Sequence, residues 1–189
     1  MLGPEMDVIA TEIPDVKLLR PARFGDERGF FSETFRSEWF PETSFVQDNH
    51  SLSANAGTVR GLHFQIGDAA QIKLVRVPRG SVLDVAVDLR TGSPTFGRAV
   101  ARTLSAENWE QLWIPIGFAH GFCTLEPDTE VLYKVSSYYS PEFERGLAWD
   151  DPALGIEWPD VAGAVLSERD DRWPGLADLP EYFPGVGTS

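Results

Sequence analysis

KLVRVPRGSVLDVAVDL, residues 73–89, decides the fold. Two runs rich in Val and Leu flank Pro78-Arg79-Gly80-Ser81, a turn signal, and neither run carries helical periodicity. Period-two alternation sets Lys73 on one face with Val75 and Val77. Outward from this pair of strands the same grammar repeats. DVIAT, GFFSETF, SFVQDNHS and TVRGLHF precede it; FGRAVARTL, QLWIPIG, AHGFCTL and EVLYKVSSYY follow. Short strands at a spacing of about 8 to 12 residues read as an all-β sandwich or barrel. SEWFPE and SAENWEQ are each sized for a helical turn, and SERDDRW opens a short C-terminal helix. Prolines in DDPALGIEWPD and LADLPEYFPG give a final segment that wraps the surface. With no repeat, linker or low-complexity tract, residues 1–189 form a single domain.

Composition narrows the function. The chain has 189 residues, 42% of them hydrophobic, enough for a sizeable core. Its net charge of −13 argues against nucleic-acid partners held by a broad basic surface. A few arginines in a cleft can still receive a small anion. Cys123 is the one cysteine, which excludes an intrachain disulfide and suits a reducing compartment. The N-terminus reads as no secretory signal, and no stretch approaches the roughly 18 apolar residues of a membrane span. The expected location is cytoplasmic, with no membrane partner.

Chemistry-bearing residues stand in apolar strands. In VRGLHFQ (59–65), His63 shares a face with Gly61 and Gln65, while Arg60, Leu62 and Phe64 share the other. Tyr133 lies with Val131 and Val135. Polar groups on an inward face are costly unless paired, and a barrel mouth that admits a ligand answers that cost. Each has a plainer reading: His63 and His120 as satisfied buried histidines, Lys73 as a snorkelling lysine, Tyr133 as core, DERGFF (26–31) as a hairpin turn. A metal site finds no support, since the position two beyond His63 is Gln65 and His50 and His120 stand alone.

Taken together, the segments resemble the dTDP-4-dehydrorhamnose 3,5-epimerase family. The matching pieces are FGDERGFFSE (24–33), FVQDNHS (45–51), VRGLHFQ (59–65), AQIKLVRV (70–77), VLDVAVDLRTGSPTFG (82–97), LSAENWEQLWIPIGFAHGF (104–122), LYKVSSYYSPE (132–142), WDDPALGIEWP (149–159) and LSERD (166–170). The resemblance spans about residues 7–171. It implies a cupin-like double-stranded β-helix, or jelly roll, with a few short helices. It also implies a homodimer, no metal or organic cofactor, and inversion of C3 and C5 in dTDP-4-dehydro-6-deoxy-D-glucose.

The residue types suit that chemistry. A C4 ketone acidifies the C–H bonds at C3 and C5, so inversion needs a base, a partner for the enolate oxygen and an acid on the opposite face. An imidazole, which in water titrates near ~6.5, is largely unprotonated at neutral pH, and His63 fits the base. The resemblance pairs it with Asp170 rather than the adjacent Asp171. Lys73 fits the oxyanion partner and Tyr133 the acid. For binding, the resemblance implies Arg60 at the diphosphate, Tyr139 stacked on thymine, and Gln47 and Asn49 at nucleotide or sugar. It places His120 and Asp84 near the reacting sugar and Arg169 within reach of a phosphate. Arg28, Phe31 and Glu33 match a segment donated across the dimer interface, which makes each site composite.

Two departures stand out. Ile72 replaces a commonly small residue and puts the aim of Lys73 in doubt, and the loop IGDA (66–69) lacks prolines seen in many relatives. Rival readings are an epimerase acting at C3 alone, a ketoisomerase, and a non-catalytic nucleotide-sugar-binding jelly roll. A ketoisomerase would want paired histidines that the spacing does not offer, and a binder would not need base, acid and lysine together.

Overall fold

Two antiparallel sheets pack face to face in the computed structural model of the chain, which describes residues 6–159 and 163–185. The six-stranded sheet runs β1 (Met6–Ala10), β2 (Lys17–Pro21), β10 (Gln111–Ile114), β7 (Lys73–Arg79), β12 (Thr129–Val135), β5 (Gln47–Ser53). The five-stranded sheet runs β13 (Glu144–Gly146), β6 (Val59–Gln65), β11 (Phe118–Thr124), β8 (Ser81–Asp88), β9 (Ala99–Ser105). A separate hairpin joins β3 (Phe24–Asp26) to β4 (Gly29–Phe31). The strand grammar gave the all-β class, and the resemblance gave the jelly roll; both agree with this architecture.

The two deciding strands are split between the layers: β7 belongs to one sheet and β8 to the other. Gly80, at φ +75, makes the corner, where a Cβ would sit 2.2 Å from the Thr129 hydroxyl. β8 reads as a nearly unbroken apolar run because both its faces are covered. Val82 and Ala86 join Val75, Val77, Leu112, Phe118, Phe122 and Val131 between the sheets. Val85 and Val87 join Leu62, Phe64, Trp149, Leu154 and Phe183 on the opposite side. That second cluster is roofed by the C-terminal segment, with Leu166, Leu176, Leu179 and Tyr182 packed against it. The proline-rich segment thus wraps the outer face of the five-stranded sheet. Each fully buried Val or Leu contributes about 1.5–3 kcal/mol.

Helical structure is limited to single turns. SEWFPE holds a 3₁₀ turn at Ser37–Trp39, and SAENWEQ one turn closed by Trp109 N–H on the Ser105 carbonyl at 3.2 Å. SERDDRW gives a short helix, the 3₁₀ turn Asp170–Arg172. Pro174 ends it, since it disfavours helical backbone at Trp173, whose ψ is 146. β2 and β13 were not anticipated. β2 has only the pair Leu18-Leu19 as apolar signal, and β13 is three residues of ERG. None of the helices is long and apolar enough to cross a membrane, among the described residues.

Candidate active site

Between the sheets, one end of the inner face is apolar and the other is not. The polar end is a cavity of about 380 Å³ walled by β5, β6, β7, β11 and β12. The C-terminal segment closes one side with Ser167, Arg169 and Asp170.

A bulge aims β6 into it. Against β11, His63 faces His120 and Arg60 faces Phe122, so three steps on β6 span two on β11. The extra residue lies at Gly61-Leu62, where Gly61 holds φ +132 and a Cβ would meet the Gly121 Cα at 2.5 Å. Arg60 therefore shares the cavity face with His63 and Gln65, while Leu62 and Phe64 stay in the outer core. Strict alternation had put Arg60 on the opposite face; the bulge corrects it.

His63 Nε2 and Asp170 Oδ1 are 2.6 Å apart. The carboxylate accepts, so a neutral ring keeps its proton on Nε2 and leaves Nδ1 as the basic nitrogen. Burial opposes ionisation of Asp170. Hydrogen bonds from His63, the Gly61 amide and the Trp173 indole, with the His63 charge, outweigh it, and the pKa is lowered. The adjacent Asp171 is exposed and, unlike Asp170, does not line the cavity.

Lys73 is buried at the cavity wall, with Nζ 3.3 Å from the His63 carbonyl oxygen. Burial pushes its pKa down to about 8, against the pull of Asp84 and Glu144. Ile72 does not misdirect it. The Ile72 backbone is tied at both ends to Ser136, N–H to Oγ at 2.8 Å and C=O from N–H at 3.1 Å. Tyr133 packs on the inner core, and burial raises its phenol pKa. His120 Nε2 lies 2.9 Å from Asp84 Oδ1, and burial lowers the His120 pKa.

At the mouth, Tyr139 is half exposed. Its N–H donates to Gln47 Oε1 at 3.1 Å and its hydroxyl to Glu144 Oε2 at 2.9 Å. Gln47 donates to Asn49, and Arg169 pairs with the same Glu144. Arg60 Nε donates to Ser53 Oγ at 3.1 Å.

The fourteen expected site residues divide into those that line the cavity, one behind it and three away from it. His63, Lys73, Tyr133, Asp170, Arg60, Gln47, Asn49, His120, Tyr139 and Arg169 line the cavity. Asp84 stands behind His120. Arg28 and Phe31 lie on the exposed β3–β4 hairpin, where Arg28 pairs with Asp26, and Glu33 pairs with Arg36 nearby; none of the three lines the cavity within this chain. Among the polar lining residues, the sequence reading missed Ser51, Gln65, Gln71, Glu144 and Ser167. Gln65 was detectable from its shared face with His63. Its buried amide accepts from Ser140 N–H at 2.7 Å and donates to the Tyr138 carbonyl, fixing the loop that carries Tyr139. No group of three His, Cys, Asp or Glu is placed to hold a metal among the described residues.

The sequence model of the dTDP-4-dehydrorhamnose 3,5-epimerases matches residues 10–178. The chain belongs to that family. A dTDP-4-dehydrorhamnose 3,5-epimerase of Sinorhizobium fredii is 55% identical over 193 aligned positions, covering 98% of this chain and 99% of the relative. The dTDP-6-deoxy-D-glucose-3,5-epimerase of Legionella pneumophila, solved in complex with dTDP-4-keto-L-rhamnose, superposes with a TM-score of 0.91 at 44% identity. It covers 95% of this chain and 98% of that one. A 3'-monoepimerase of Streptomyces bikiniensis, solved with dTDP-quinovose, is more distant at 35% identity and a TM-score of 0.83, covering 89% and 87%.

Proposed function

We propose that this chain inverts C3 and C5 of dTDP-4-dehydro-6-deoxy-D-glucose, giving dTDP-4-dehydro-L-rhamnose by proton transfer through an enolate. The observation that carries the mechanism is the 2.6 Å His63–Asp170 contact, in one cavity with a buried lysine and a tyrosine. His63 removes the proton next to the ketone, and Asp170 stabilises the imidazolium that forms. The Lys73 ammonium holds the enolate oxygen in a site where water does not screen it. Tyr133 returns a proton to the opposite face, which inverts the centre. The same set acts at C3 and at C5, because each carbon is adjacent to the C4 ketone.

Arg60 and Arg169 supply cationic forks for the diphosphate, and the half-exposed Tyr139 ring offers a face for thymine. Gln47 and Asn49 contact nucleotide or sugar, and His120, held by Asp84, sits beside the reacting ring. We assign Arg28, Phe31 and Glu33 to the site of a second copy in a homodimer. In support, Phe24, Phe30 and Phe31 are each more than half exposed on the hairpin that carries Arg28, more apolar surface than a free hairpin usually shows. The reading requires no cofactor and places the protein, as one domain, in the cytoplasm; the lone, buried Cys123 suits that compartment.

Incubation with the substrate, borohydride reduction and identification of the sugars tests the reaction. 6-Deoxy-L-manno and 6-deoxy-L-talo products show inversion at both C3 and C5. 6-Deoxy-D-allo and D-gulo products without L sugars would indicate a C3-only epimerase, and unchanged D-gluco and D-galacto products a non-catalytic binder.

A further inference from the structure

Resting on His63 as the base, we propose that Trp173 is a positioning residue, which fixes Asp170, His63 and Arg169 in one arrangement from behind the cavity wall. Its indole N–H donates to Asp170 Oδ1 at 3.4 Å, the oxygen that also lies 2.6 Å from His63 Nε2. Its ring meets the imidazole edge to face, with centroids 6.2 Å apart and planes at 74°. The Arg169 guanidinium lies over the same indole, 5.9 Å from the centroid. One side chain thus touches three groups of the proposed site without itself lining the cavity.

The indole is held there by a second, independent feature. Gly146 pairs with His63 across the β13–β6 ladder. A Cβ on Gly146 would lie 2.2 Å from Trp173 Cδ2 and Cε2. The missing methyl is the space the indole occupies, directly beside the base. The chain on either side is also tied down: Arg172 N–H donates to the Arg169 carbonyl at 3.1 Å, and the Pro174 carbonyl accepts from Ala148 N–H at 2.8 Å.

Sharing Oδ1 between two donors has a definite consequence. The indole N–H draws on the carboxylate charge and so weakens its hold on the imidazole proton. It also stops the carboxylate from rotating. Removing the N–H raises the proton affinity of His63 and loosens its orientation. Among the described residues, the other charged or titratable groups around His63 are Lys73 from β7, His120 from β11, Tyr133 from β12, Tyr139, Glu144 from β13, and Arg60 and Arg169. Of these Trp173 touches only Arg169, and Trp173→Phe leaves an aromatic ring beneath it.

Trp173→Phe keeps a ring over Gly146 and deletes the donor. The expected result is a fall in kcat of about 3- to 10-fold, KM within about 2-fold of wild type, and an acid limb of kcat/KM displaced upward by about half a pH unit. Trp173→Ala should raise KM as well, since Arg169 loses its platform. Wild-type kcat with an unmoved acid limb in Trp173→Phe overturns the proposal. Should that variant fail to fold, the wild-type protein still decides. The Trp173 indole N–H resonance must titrate with the midpoint of the acid limb, and a signal indifferent to pH there overturns the proposal equally. His63→Ala is measured alongside. Turnover retained in that variant removes the base assignment itself, whereas a dead His63→Ala beside a normal Trp173→Phe removes only the role of Trp173.

Discussion

His63 Nε2 lies 2.6 Å from Asp170 Oδ1, across 107 residues of sequence, and so ties the centre of one sheet to the C-terminal segment. Asp170→Asn keeps the shape and removes the charge that stabilises the imidazolium. Its kcat should fall by about 10²- to 10⁴-fold with little change in KM, read in a steady-state assay. Stability should respond too. The Asp170 pKa is lowered in the fold, so its contribution is present above the ordinary carboxylate pKa near ~3.9 and is lost as pH falls below it. The melting temperature of the Asn variant should therefore depend less on pH in that acid range.

Lys73 sets the alkaline side. With its pKa at about 8, the ammonium that holds the enolate is lost as pH rises through that value, and kcat/KM should fall there. Lys73→Arg should abolish that limb up to about pH 10, at a lower plateau, because a guanidinium stays charged. Stability moves the other way. Between about 8 and the ordinary lysine value of 10.5 the unfolded chain binds more protons at this residue, so its effect on unfolding free energy rises with pH. Activity and melting temperature measured over one pH series should diverge across this window.

Tyr133→Phe separates removing a proton from returning one. The variant retains His63 and Lys73 and should still exchange substrate hydrogen with solvent. Net inversion should drop by about 10²- to 10⁴-fold. The ratio of exchange to inversion, followed by NMR, is the measurement. Equal loss of both would place Tyr133 outside the role of acid.

Gly121→Ala tests the bulge that turns Arg60 and His63 to the same side. A Cβ there would lie 2.6 Å from the Arg60 carbonyl oxygen and 2.9 Å from the Gly61 Cα, both backbone. Denaturant titration should show a loss of about 1–3 kcal/mol, accompanied by weaker nucleotide binding as Arg60 is displaced. A fully stable variant with wild-type affinity would mean the two strands are not locked as described.

The residues show what was legible and what was not. β7, β8 and the turn between them were readable because Val and Leu runs flank Pro-Arg-Gly-Ser, and periodicity placed Lys73 and Tyr133 inward. Arg60 was misplaced because periodicity assumes an unbroken ladder, while the register shift at Gly61-Leu62 depends on close approach to Gly121, a contact between distant strands. Asp170 was reached through a family motif; nothing local to SERDDRW points to a histidine 107 residues away. Glu144 was missed for a similar reason. It joins the site only because the three-residue β13 pairs with β6, opposite Gln65.

The most direct test of the account is deuterium uptake. In deuterated water, dTDP-4-dehydro-6-deoxy-D-glucose treated with the wild-type protein should acquire deuterium at both C3 and C5, and folded His63→Ala protein should slow both by about 10³-fold or more. Uptake at both carbons that survives in His63→Ala at the wild-type rate would contradict it.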